Sequence, residues 1–368
     1  MGRNIMILLF CCILIQSCTE DNATGLDDDV TSITIPSDGI PTIQAGIDSI
    51  ADGGIIYIEP GTYDEIITIR NKTVHIKGIA SSDSVYPKIV CRSTESSVIT
   101  FASDGGGSLE GLSIQGGRAG IRGIAENRIA PVAVEIEEIA ILDAEMGIGG
   151  TFSDLTIKNT EIDSTEWGVV LYELEELEML HTFISNVEYT GLIVLNYHGL
   201  GQNPIEIVES SFAFCAEGGI AVVGDANDVS IRDCGVGLSG MFGILLIENG
   251  SVEILSTNIT HIAQVYTDPT IGWVGDGISI NSSDFVDIRN CWFYECDRVG
   301  ILFGGSGGNL QDSRFEYLDI GLALIEGSQV NWENQNNVFE EVQTNCYDEE
   351  VGETLPVPTE PPDMPDPP

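Results

Sequence analysis

Basic residues are scarce in this chain: 14 lysines and arginines stand against 58 acidic residues, a formal net charge of -44 at pH 7. From Lys158 to Arg232 no lysine or arginine intervenes. A field of that sign repels phosphate backbones and anionic headgroups, which excludes nucleic acid as a partner, and it repels polyuronate sugars unless cations bridge the two. Aromatic residues make up only 7% of the chain, a composition that suits thin stacked strands with tight corners better than a packed α/β enzyme. Long apolar runs are also missing; the one near the start, Ile5 to Ile15, is too short to span a bilayer. Histidine is rare, with 4 in all, and none lies near the Cys291 and Cys296 pair, whose spacing matches no metal motif.

Glycine is abundant, and it recurs with a period. Gly168, Gly191, Gly219, Gly243, Gly277, Gly300 and Gly321, each followed by an aliphatic residue or nearly so, are separated by 21 to 34 residues. Strand-like alternation within a unit of that length describes a coil that buries its apolar side chains only when the next copy stacks on it. Aligning the units gives inward columns Leu155, Leu177, Ile205, Val229, Val252, Val286 and Ile157, Met179, Ile207, Ile231, Ile254, Ile288. A third runs Ile162, Ile184, Phe212, Val236, Ile259, Phe293. Between them lies a corner column, Asn159, His181, Glu209, Asp233, Ser256, Asn290, followed by a column of small residues, Thr160, Thr182, Ser210, Cys234, Thr257, Cys291. The expected fold is all-β: a single right-handed parallel β-helix over 32–345, with the repeated glycines as positive-φ corners before each third strand. On the third strands the outward positions read Val170, Ile193, Ala221, Leu245, Ser279, Leu302, Ala323. Such an apolar stripe is expected to lie under a loop or the tail, or to dock a partner.

The N-terminus carries Arg3, an apolar stretch and then Ile15-Gln16-Ser17-Cys18, after which the chain turns polar. This resembles the lipobox of bacterial lipoproteins and implies a signal peptide over 1–17, a lipid on Cys18 and an acidic tether over 18–31. The localisation it implies is the outer membrane or cell surface; ordinary secretion to the periplasm or medium is the alternative. Most of the six cysteines after Cys18 read as small core residues, because Cys234 and Cys291 stand two coils apart, about 10 Å, beyond disulfide reach. The segment 346–368 is acidic and Pro-rich and is expected to be a disordered tail.

The order Thr42-Ile43-Gln44, a short amphipathic helix, Ala51-Asp52-Gly53-Gly54, a hydrophobic strand and Pro60-Gly61-Thr62-Tyr63-Asp64-Glu65 is similar to the opening of the pectin-lyase-like right-handed β-helix proteins, pectin methylesterases among them. That resemblance implies a helix capping the open end of the coil and, in many members, enzymes acting on acidic polysaccharides. Their catalytic patterns match poorly: Asp276-Gly277 reproduces only the first element of the polygalacturonase-like site, which makes Asp276 the nearest candidate for a catalytic acid. Ligand binding falls to the two long insertions, which carry Tyr197 and His198, and Tyr266, Asp268 and Trp273; rings beside carboxylates suit sugar stacking or calcium-assisted contact. The sequence therefore points to surface binding or display of carbohydrate or protein without an evident catalytic site. A polysaccharide lyase or hydrolase is the alternative, and a calcium-binding adhesin, suggested by the acid excess, is a third reading.

Overall fold

A computed structural model describes residues 30–126, 133–197, 203–224, 227–266, 273–348 and 355. The chain winds through about 12 turns of parallel strands, each contributing up to three strands and so three sheet faces. One turn consists of Asp154–Lys158, Glu161–Thr165 and Trp167–Tyr172, and each pairs in parallel with its counterpart one turn on. The inward columns coincide with these pairings residue by residue: Leu155 meets Leu177, then Ile205, Val229, Val252 and Val286. Ile157, Ile231 and Ile288 are fully buried. At the C-terminal end the core ladder becomes aromatic, with Phe293, Phe315 and Phe339 stacked face to face at centroid distances of 4.7 and 4.8 Å.

The corner column adopts the left-handed conformation, φ running from 47° to 55° through Asn159, His181, Glu209, Asp233, Ser256 and Asn290. Behind it the small column satisfies backbone acceptors. Thr160, Thr182, Ser210 and Thr257 donate from Oγ to the carbonyl two residues earlier at 2.9 to 3.1 Å, and Cys234 and Cys291 do the same from Sγ at 3.2 and 3.3 Å. These thiols thus stand in for hydroxyls. All six described cysteines are free, and burial pushes the thiols of Cys215 and Cys291 up to about 12 and that of Cys234 up to about 11. They are inert as nucleophiles.

The repeated glycines have a different cause from the one expected. None of the seven has positive φ. A Cβ at Gly168 would lie 2.2 Å from the carbonyl oxygen of Gly191, one at Gly243 would lie 2.5 Å from that of Gly277, and the contact passes up the stack to Gly300 and Gly321. Close approach of successive backbones, not corner geometry, excludes a side chain there.

The outward residues of the third strands are enclosed. Val170, Ile193, Leu245 and Leu302 are at most 1% exposed and form two further apolar clusters, one joined by Trp167, Tyr172 and Met241, the other by Ile320, Tyr347 and Leu355. Leu355 belongs to the segment expected to be disordered, yet it packs on Val299, Leu302, Ala323 and Ile325. Strand pairing also continues beyond residue 345, through Asp348.

At the other end the helix Ile43–Ser49 packs Ile43, Gly46 and Ile47 on the first turn. Thr42 Oγ1 caps it by accepting from Ala45 N–H, Glu65 accepts from Ile43 N–H at 2.9 Å, and Lys72 Nζ donates to the carbonyls of Ile47 and Ile50. Acid at the N-terminus and base at the C-terminus match the helix dipole. No described helix is long and apolar enough to cross a membrane.

Candidate functional site

The outer face of the second sheet is solvent-facing, and near the C-terminal end it carries aromatic rings on three consecutive turns. Phe293 points into the core, so strand alternation sends Trp292 and Tyr294 outward. The position after Tyr294 and its equivalents departs from strand geometry: His261, Glu295 and Tyr317 have φ of 56°, 52° and 56°. The same left-handed bulge recurs at Ser164, Asn186, Phe214 and Leu238, so it belongs to the scaffold, and at this end it aims an imidazole and a phenol at solvent. Three of the rings touch Tyr294. His261 and Tyr294 are 5.3 Å apart, Trp292 and Tyr294 5.4 Å, and Tyr294 and Tyr317 5.5 Å in an edge-to-face pair. Tyr317 is 56% and Trp292 38% exposed.

Carboxylates frame this surface. Glu295 sits 3.2 Å from His261 Nε2, and the hydrogen bond to Glu295, followed by burial and the nearby charges, holds the Tyr294 hydroxyl above its ordinary pKa. The guanidinium of Arg314 is held between Glu316 and Glu340, while Arg289 is engaged by Glu253 and Asp287 on the first sheet.

A two-stranded antiparallel hairpin, Val265–Tyr266 with the start of Trp273–Asn281, rises from the same turn as His261. It brings Tyr266 and Trp273 together edge to face at 5.3 Å, both about half exposed. The next turn clamps its base: Asp297 accepts from Gln264 N–H at 2.9 Å, and Arg298 Nη1 donates to the Trp273 carbonyl at 3.2 Å. Arg298 also donates from Nε and Nη2 to the two oxygens of Asp276 at 2.6 and 2.5 Å, and Ser279 Oγ donates to Oδ2 at 2.6 Å. Asp276 is wholly enclosed. Its oxygens serve as acceptors for groups of the protein itself, and its role in this arrangement is to hold Arg298.

Tyr197 lies elsewhere, exposed at the corner after the strand Thr190–Leu195, with burial, Glu248 and Glu173 raising its pKa. The structure therefore unites Tyr266 with Trp273 but leaves Tyr197 on a different corner. His198, Asp268 and Cys18 lie outside the described residues. Among the described residues no group of three His, Cys, Asp or Glu side chains is placed to hold a metal ion.

With this geometry in hand, comparison with known proteins shows what the chain is similar to. Residues 167–339 match the family model described as a right handed beta helix region. No curated protein matches the chain in sequence. Among solved structures, the catalytic domain of a GH87 alpha-1,3-glucanase in complex with tetrasaccharides is similar at a TM-score of 0.57 and 12% identity, over 89% of this chain and 67% of that one. The same kind of domain in complex with nigerose gives a TM-score of 0.51 at 11% identity, over 87% and 66%. This chain thus spans about two thirds of those structures, and at such identity the likeness is one of fold. The chain is similar over residues 167–339 to the right handed beta helix family, and its fold is a right-handed parallel β-helix.

Proposed function

We propose that this β-helix is an exported surface protein, anchored through a lipid on Cys18, that binds polysaccharide on the outer face of its second sheet. The carrying observation is the cluster of rings around Tyr294, touched by His261 from the preceding turn, by Trp292 from its own and by Tyr317 from the next, with His261, Trp292 and Tyr317 exposed. Flat rings stack against the C–H faces of sugars while the surrounding carboxylates accept hydroxyl hydrogens. Turns follow one another at about 4.8 Å, so a chain lying along the axis meets a ring at each step. The hairpin bearing Tyr266 and Trp273 rises from one of these turns and supplies further aromatic edge. The similar glucanase domains were solved with bound oligosaccharides, which supports sugar as the ligand class. Glu295 and Glu340 lie about half exposed at the edge of the ring platform, which supports binding and display as the reading. Calorimetric titration with a panel of soluble oligosaccharides tests this. Trp292→Ala and Tyr317→Ala should each weaken binding about tenfold, or 1.4 kcal/mol, with the melting temperature unchanged. Unaltered affinity in both variants, or no binding by the parent protein, overturns the proposal.

A further inference from the structure

The chemistry around the ring platform narrows its ligand, and we infer that the second sheet selects a cationic, amino-bearing sugar chain over neutral or acidic ones. This rests on reading the face as a glycan platform. From Ser251 onward the sequence contains three arginines and no lysine. Each of the three is already committed to carboxylates: Arg289 to Glu253 and Asp287, Arg298 to Asp276, and Arg314 to Glu316 and Glu340. His261, the remaining basic group of the platform, faces Glu295. An acidic sugar would therefore meet rings and carboxylates with no uncommitted cation to receive it.

An ammonium group fits the same surface in two ways. The faces of Trp292, Tyr294 and Tyr317 attract a cation through their quadrupoles, most strongly at an indole. Glu295 and Glu340, both about half exposed, offer acceptors at the platform's edge for charge-assisted N–H donors. At long range the net charge of -44 draws a cationic chain toward the surface and repels an anionic one. That attraction alone is unselective; the rings and the adjacent Glu295 give it a place.

The test measures binding of a glucosamine tetrasaccharide, its fully N-acetylated counterpart and a galacturonate tetrasaccharide to the full chain, at a pH where the free amine is protonated. The amine form should bind at least tenfold tighter than the acetylated form, and the galacturonate should not bind. Trp292→Ala and Glu295→Gln should each remove most of the preference, whereas Glu176→Gln, which cancels one exposed charge on the first sheet, should leave it intact. Equal binding of the amine and acetylated forms, with both lost in Trp292→Ala, leaves the glycan platform standing and overturns the inference. Equal effects of Glu295→Gln and Glu176→Gln show diffuse attraction to the whole surface and overturn it too. Absence of binding by all three sugars removes the platform reading along with it.

Discussion

At the residue scale the glycine stack makes the sharpest prediction. In Gly300→Ala the new methyl would lie 2.6 Å from the Gly321 carbonyl oxygen and 2.8 Å from Phe315 Cδ1. A strand backbone and a ring stacked between two others cannot both yield, so unfolding by urea should show a loss of about 1 to 3 kcal/mol. Gly235→Ala is the control, since its nearest neighbour would be Ser211 Oγ at 3.6 Å and its φ is not positive. It should be neutral or slightly stabilising, and equal losses in the two variants would refute the backbone-contact account. The aliphatic columns and the left-handed corner were legible in the sequence because like residues repeat in register through six turns. The reason for the glycines was not, because a corner and a close backbone contact both demand glycine and leave the same mark in the letters. The platform was half legible. Phe293 in an inward column already sends Trp292 and Tyr294 outward, but the bulge is carried by His261, Glu295 and Tyr317, which share no residue type along the column and so leave no repeat in the letters.

At the scale of elements, the buried Asp276 and Arg298 pair joins two turns and the hairpin above them. Its side chains are 0% and 8% exposed, so each charge depends on the other. Arg298→Met leaves the Asp276 carboxylate enclosed with only Ser279 as donor among the contacts described above, and should cost about 3 to 5 kcal/mol. The double variant Asp276→Leu with Arg298→Met removes both charges and should recover most of that loss. Denaturant unfolding of the two proteins checks the pair. A double variant as unstable as the single one would mean that shape, not charge pairing, governs the site. The sequence shows Asp276 before a glycine and Arg298 22 positions on, one turn later, but nothing in either segment reveals that the two side chains are enclosed together beside Ser279 of the outward column. That depends on the packing of the third sheet's outer face, where Leu355 from beyond the last strand also lies.

At the scale of the molecule, turns that stack like residues also stack like charges. Glu145, Glu166 and Glu188 line one groove of about 740 Å³, and burial together with Glu145 and Glu188 raises the pKa of Glu166. A carboxyl whose folded pKa lies above its unfolded value binds its proton more tightly in the folded state. Folding is therefore favoured at low pH, and stability falls as pH rises from the ordinary carboxylate value through the raised one. Above both values the penalty is constant. Glu166→Gln should accordingly raise the melting temperature at pH 7, with the difference closing as the pH drops below the ordinary glutamate range. Added salt should narrow the same gap by screening the ladder, since the Debye length at 1 M ionic strength is about 3 Å. Thermal melts of parent and variant across pH and salt decide the matter. A variant no more stable than the parent at pH 7 would show that the acidic ladder is relieved by solvent and that the net charge of -44 weighs on solubility and ligand choice, not on the coil itself.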